Sequence, residues 1–95
     1  MKKSTVTRIA AISALLLLAS GCGQKTTDEH ISEAKQHLEQ GDNKAAIIAL
    51  KNAIQLDPQA AQPRFELGKI YLQEQDYESA EKELSRALDY GYKPA

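Results

Sequence analysis

Two stretches of matching pattern decide the fold: KQHLEQGDNKAAIIALKNAI (residues 35–54) and KIYLQEQDYESAEKELSRAL (residues 69–88). When the sequence is shifted by 34 residues, identical residues align at intervals, and Ile54 aligns with the similar Leu88. The identical pairs are Lys35 and Lys69, Leu38 and Leu72, Asp42 and Asp76, Ala46 and Ala80, Leu50 and Leu84, and Ala53 and Ala87. A fixed period of this length indicates a repeat protein in which each copy is one supersecondary unit.

The apolar residues of each stretch follow the period of an α-helix. They recur at i, i+4, i+7 and i+8, beginning at Ala46 and again at Ala80, which places them on one side of a helix. Small alanines let two helices approach closely, while leucines fill the space beside them. The residue before a proline avoids the α region, so Asp57-Pro58 ends a helix. We therefore predict an all-α fold with helices near 28–40, 43–56, 62–75 and 77–90.

A known repeat family carries this pattern. Leu67-Gly68-x-x-Tyr71, followed by Ala80, Leu84 and Ala87, resembles the signature of a tetratricopeptide repeat (TPR), a helix–turn–helix unit. Gly68 lies within a predicted helix, where glycine costs about 1 kcal/mol relative to alanine, and this indicates close packing. The resemblance implies an α-solenoid made of two TPR repeats, 28–60 and 61–94.

Each repeat departs from the family pattern at one place. The first carries His30 and Glu33 where large apolar residues are usual, and a polar outer face suits a terminal, capping repeat. The second has Tyr92 where Pro58 closes the first. Because two repeats bury little core and three or more usually form a stable array, we expect the chain to be a fragment of a longer array. A short two-repeat lipoprotein is the alternative.

The N-terminal segment has the features of an export signal. Met1 to Arg8 is basic, and an apolar run, IAAISALLLLAS, follows directly at residues 9–20. This order predicts a secretory signal peptide over residues 1–21, and the run is short for a membrane span, which needs about 20 apolar residues. A core helix of a cytosolic protein and an uncleaved anchor are the alternatives.

The single cysteine, Cys22, follows that segment directly. Leu18-Ala19-Ser20-Gly21-Cys22 resembles the lipobox of bacterial lipoproteins, although Ala19 stands where the family prefers leucine. The resemblance implies that Cys22 is lipidated and its new amine acylated with a fatty acid such as palmitate, with residues 22–27 as a polar tether. In enterobacterial lipoproteins an aspartate directly after the cysteine tends to retain the protein at the inner membrane. Gly23 occupies that position here, so the resemblance favours the outer membrane. An incidental thiol or an intermolecular disulfide is the alternative.

Charge and composition argue against several functions. The chain has 12 Lys and Arg against 13 Asp and Glu, and removing the three basic residues of the signal leaves 9 against 13, a net charge of −4. Without a basic stripe, we expect no nucleic-acid partner.

No catalytic triad, phosphate-binding loop or Cys/His metal spacing occurs. We expect a non-enzymatic protein without a cofactor, metal or small-molecule substrate, in which His30 and His37 are surface histidines. Glu78, Glu81 and Glu83 indicate a solvated helix face.

A narrower resemblance bears on the role of the chain. The run 49–55, Asp57-Pro58, the segments 64–72 and 76–84, and Gly91-Tyr92 resemble the start of the TPR-repeat lipoproteins of PEP-CTERM systems. These accompany exosortase and exopolysaccharide gene clusters of Gram-negative bacteria. The resemblance implies a lipid-anchored scaffold at the periplasmic face of the cell envelope, which binds envelope proteins in exopolysaccharide or protein-sorting machinery. The alternatives are a small lipoprotein chaperone or pilotin for secretin or pilus assembly, and an enzyme whose catalytic domain follows the repeats.

TPR proteins contact peptides mainly through the first helix of each repeat. The positions that the family uses there imply a candidate peptide groove formed by Ile31, Lys35, Leu38, Phe65, Lys69 and Leu72. Phe65, Lys69 and Leu72 are spaced by four and three residues, which predicts one common face. Lys35 and Lys69 recur at the same place and could each bind a carboxylate. They could also match only because the repeats share ancestry.

Overall fold

The computed structural model describes residues 23–93, which form four helices in two antiparallel pairs. These are α1 (Thr27–Glu39), α2 (Asn43–Leu56), α3 (Ala61–Gln73) and α4 (Tyr77–Asp89). The all-α prediction is confirmed, and every helix end lies within two residues of its predicted place. Helix α1 packs on α2, and α3 packs on α4. Contacts between α2 and α3 hold the two pairs together. The predicted signal peptide and Cys22 lie outside the described residues.

Side-chain caps fix where the helices begin. The backbone amide of Glu29 donates to the Thr26 hydroxyl, and the Glu29 carboxylate accepts from the Thr26 amide, both at 3.2 Å. This reciprocal pair forms a capping box at the start of α1. Asp42 accepts from the Ala45 amide at 3.1 Å, and Asp76 from the Ser79 amide at 3.2 Å. The recurrence of aspartate at these two places therefore reflects helix capping.

Three helices end with one residue in the left-handed backbone region. At the end of α1 it is Gly41 (φ 76°), at the end of α4 it is Gly91 (φ 90°), and at the end of α3 it is Gln75 (φ 63°). In each case the next amide bonds back across the last turn, as from Asp76 to the Tyr71 carbonyl at 2.9 Å. This is the Schellman arrangement, which normally uses glycine. Gln75 therefore holds a strained conformation within an otherwise regular turn.

The core lies along the contact between the helix pairs. Ala46 and Leu50 of α2 are fully buried, and Leu67 and Ile70 of α3 pack against them. The alanine stripe of the second repeat is also buried, at Ala80 and Ala87. These observations confirm that the small residues lie where helices meet.

The second stripe differs from the first at its outer end. Ile54 is half-buried against the core, whereas its counterpart Leu88 is 65% exposed. The reason is that α3 covers the first repeat, and no helix within residues 23–93 covers the corresponding side of the second. The periodic pattern thus identified the face correctly but not its degree of burial.

Gly68 marks the closest approach between α3 and α4. A Cβ atom at this position would lie 2.6 Å from both Cγ and Cδ2 of Leu84, and 3.4 Å from its backbone nitrogen. The equivalent residue of the first repeat, Ala34, is buried and accommodates its methyl group. The expectation of close packing at Gly68 is confirmed.

Candidate protein-binding surfaces

The six candidate groove residues differ widely in exposure. Lys35 and Lys69 are exposed, and Leu72 is 45% exposed. Leu38 and Phe65 are half-buried. Ile31 is buried, with 6% of its surface accessible, so it contributes to packing and offers little surface to a peptide. The residues available for contact are therefore mainly the two lysines and the leucines that follow them.

One concavity lies where the two repeats meet. This junction hollow has a volume of about 180 Å³ and is lined by Leu38, Asn43, Glu66, Lys69, Ile70 and Gln73. It brings together two candidate residues from different repeats, Leu38 and Lys69. Two of its lining residues are apolar and four are polar or charged, which suits a short peptide segment better than an enclosed small molecule.

The two recurring lysines have different surroundings. The Lys69 ammonium lies 3.1 Å from the Glu66 carboxylate and 5.1 Å from the centre of the Phe65 ring. Lys35 forms no ion pair with any carboxylate in residues 23–93. The Lys69 side chain is half exposed, so solvent screens this pair and lowers its energy. Lys69 can therefore exchange Glu66 for a partner's carboxylate, and Lys35 is available without any exchange.

Phe65 contributes to a second surface. Its ring stacks on Tyr92 with a centroid separation of 4.0 Å and an interplanar angle of 12°. Phe65 and Tyr92, with Leu84, Ala87 and Leu88, line an apolar hollow of about 130 Å³ at the outer end of the second repeat. Lys69 borders the junction hollow and Phe65 borders this end hollow. The Lys69 ammonium, 5.1 Å from the centre of the Phe65 ring, nevertheless places both residues on one side of α3.

Arg64 is a buried residue whose role the sequence did not reveal. Its side chain donates two hydrogen bonds to the Pro58 carbonyl, at 3.0 and 3.3 Å, and one to Glu83 at 3.0 Å. The guanidinium also lies 5.4 Å from the centre of the Tyr90 ring. Arg64 thereby links the loop between the repeats to α4. The interpretation of Glu83 as a solvated residue was wrong, because its side chain is 12% exposed and paired with Arg64.

A polar cluster occupies the outer side of α1. Glu33 accepts a hydrogen bond from Lys25 and lies 3.9 Å from His30 and 3.7 Å from His37. The hydrogen bond from Lys25 and the neighbouring positive charges hold the pKa of Glu33 below its ordinary value. Within residues 23–93, no group of three or more potential ligands has an arrangement that could hold a metal ion. The hydrogen bond between Lys25 and Glu33 ties the tether to α1.

Within the described part of the chain, no helix is long and apolar enough to cross a membrane. The paired helices, buried alanine stripes and junction hollow define a class of protein, the helical-repeat scaffold that binds other proteins on its surface. Residues 37–95 match the family model of the tetratricopeptide repeat. The chain belongs to the tetratricopeptide repeat family. It matches none of the curated proteins with which it was compared.

Proposed function

We propose that this chain is a non-enzymatic, lipid-anchored TPR scaffold that holds partner proteins at a membrane surface. The junction hollow carries the proposal, because Leu38 and Lys69 from separate repeats border one concavity. Lys35 lies one helical turn before Leu38, on the same side of α1. Apolar residues together with two flexible cations suit a peptide that carries both apolar and acidic groups.

The tether supports the anchoring part of the proposal. Helix α1 begins at Thr27, and Lys25 is bound to Glu33 on that helix. The free part of the tether is therefore no longer than the four Cα–Cα steps from Cys22 to Thr26, which span at most about 14 Å. Acyl chains on Cys22 would hold the first repeat close to the bilayer, and more than one chain gives stable anchoring.

The location that we propose is the periplasmic face of a Gram-negative cell envelope, with Gly23 favouring the outer membrane. The partners that we propose are envelope proteins of exopolysaccharide or protein-sorting machinery. This part rests on the resemblance to PEP-CTERM-system TPR lipoproteins described above. The TPR fold and the partner-binding surface do not depend on it.

A crosslinking pull-down tests the scaffold. We expect Lys35→Glu combined with Lys69→Glu to weaken the capture of envelope partners. The two changes reverse one cation that lines the junction hollow and one that lies a helical turn before Leu38. Lys82→Glu combined with Arg86→Glu is the matched control, since it reverses two exposed charges on α4. Circular dichroism should show unchanged helicity in both variants. If the two double variants capture the same partners in the same amounts, the junction hollow is not the binding site.

A further inference from the structure

The solvent-facing side of α2 combines two lysines with exposed apolar residues. Lys44, Ile48 and Lys51 lie at i, i+4 and i+7, so they share one side of the helix. Both lysines are exposed, and Ile48 is 62% exposed. Leu56, at the end of the helix, is 54% exposed. These four residues, Lys44, Ile48, Lys51 and Leu56, are called the α2 face below.

The charge of α2 contrasts with that of the rest of the chain. Residues 22–95 carry a net charge of −4, and α1, α3 and α4 each contain at least one acidic residue. Helix α2 contains two lysines and no acidic residue. The nearest carboxylates along the chain are Asp42, which caps its start, and Asp57, just beyond its end. The α2 face is thus a locally basic and apolar surface on an acidic protein.

The second repeat shows that this composition is not a requirement of the fold. At the positions of α4 equivalent to the α2 face stand Glu78, Lys82, Ser85 and Tyr90. The exposed Ile48 thus corresponds to a lysine, and Lys44 to a glutamate. Packing constrains neither outer side, since all eight residues are exposed. The difference between the repeats therefore points to a contact that only the first repeat makes.

The tether arrives beside this face. Gly23, Gln24 and Lys25 line an open hollow together with Asn52 and Leu56 of α2. Cys22 is the residue that directly precedes Gly23 in the chain. Acyl chains at Cys22 would therefore enter a bilayer next to the end of α2 that carries Leu56.

We propose that the α2 face lies on the membrane surface and binds anionic phospholipid. Lys44 and Lys51 pair with headgroup phosphates, and Ile48 and Leu56 enter the boundary between headgroups and acyl chains. The inference rests on the proposed lipid anchor and adds an orientation to it, with the first repeat lying along the bilayer. The acidic α4, which lacks this combination of residues, stays away from the anionic surface.

Vesicle titration of the unacylated protein tests this contact separately from the anchor. The chain from residue 22 onward, carrying Cys22→Ser, contains the whole described core and lacks the acylation site. We expect it to partition into vesicles of phosphatidylcholine with phosphatidylglycerol and not into phosphatidylcholine alone. Each lysine near an anionic surface contributes about fivefold, so Lys44→Gln with Lys51→Gln should lower the partition coefficient roughly 25-fold. Ile48→Ser should lower it roughly fivefold.

The matched control is Lys82→Gln with Arg86→Gln, which removes the same charge from α4 and should change partitioning less than twofold. Equal losses in the two double variants would overturn the proposal, because binding would then depend on net charge alone. No effect of Ile48→Ser would also overturn it. So would a lack of partitioning at millimolar lipid, which is the effective concentration that a short tether supplies. None of these results depends on acylation, so failure of the anchor remains separately detectable.

Discussion

Replacing Gly68 with alanine should destabilise the chain when the Leu84 side chain is present and stabilise it when that side chain is truncated to alanine. Two effects compete at this position. Alanine is the better helix former by about 1 kcal/mol, which favours the substitution. However, its Cβ would lie 2.6 Å from Cγ and Cδ2 of Leu84, whereas carbon atoms pack favourably at about 3.5–4.0 Å. Overpacking of this kind typically costs about 1–3 kcal/mol.

The backbone limits how the clash can be relieved. The backbone nitrogen of Leu84 would be 3.4 Å from the new Cβ, which leaves little room for α4 to move closer. The clash can therefore be relieved in place only if the Leu84 side chain moves. We therefore expect Gly68→Ala alone to destabilise the chain by about 1 kcal/mol after the helix-propensity gain is included. In a Leu84→Ala background the clash is absent, and the same substitution should stabilise by about 1 kcal/mol.

A double-mutant cycle measures this coupling. Urea unfolding followed by far-UV circular dichroism gives the free energy of unfolding for the wild-type chain, Gly68→Ala, Leu84→Ala and the double variant. Ala34→Gly, at the equivalent position of the first repeat, is the control and should destabilise, because that site already accommodates a methyl group. If Gly68→Ala has the same effect in both backgrounds, the close approach of α3 and α4 at Gly68 does not determine stability.

Three further sets of substitutions test other parts of the fold by the same unfolding assay. Ala80→Leu and Ala87→Leu should each destabilise the chain by about 1–3 kcal/mol, because both sites are fully buried. Glu78→Gln, at an exposed site, should change stability by no more than about 0.5 kcal/mol. Equal tolerance at all three sites would contradict the assigned helix faces. Arg64→Leu should lower the free energy of unfolding by about 2–3 kcal/mol, since it leaves Glu83 and the Pro58 carbonyl without their donor. Adding Glu83→Leu should restore part of that stability. If it restores none, the pairing of Arg64 with Glu83 does not stabilise the fold. Gln75→Gly should stabilise by about 1 kcal/mol by relieving a positive φ, while Gly41→Gln at the equivalent turn should destabilise.

The sequence was sufficient to predict the features that repeat. The 34-residue period predicted the number of helices, their approximate ends and the buried alanines, because each of these follows from a local pattern that occurs twice. The close packing at Gly68 could also be predicted, because a glycine within a helix has a cost that packing must offset. These features depend on neighbours within one repeat.

The features that the sequence did not reveal depend on contacts that do not repeat. Arg64 binds Glu83, but the equivalent residues of the first repeat are His30 and Ala49, so no periodic signal marks the pair. Helical periodicity places Leu88 on the same side as Leu84 but does not indicate whether another helix covers that side. The end hollow followed from Tyr92 folding back onto Phe65, which depends on the conformation of the turn at Gly91.

Mass spectrometry of the mature protein determines whether a lipid on Cys22 holds these repeats at a membrane. The protein would be expressed in a Gram-negative host, isolated from membranes and analysed at its N-terminal peptide. We predict an N-terminus at Cys22 that carries a diacylglycerol group on sulfur and an acyl group on the amine. Cys22→Ser should abolish both the processing and the lipid. A mature protein that retains residues 1–21, or that begins elsewhere with an unmodified Cys22, would show that Cys22 is not a lipid anchor.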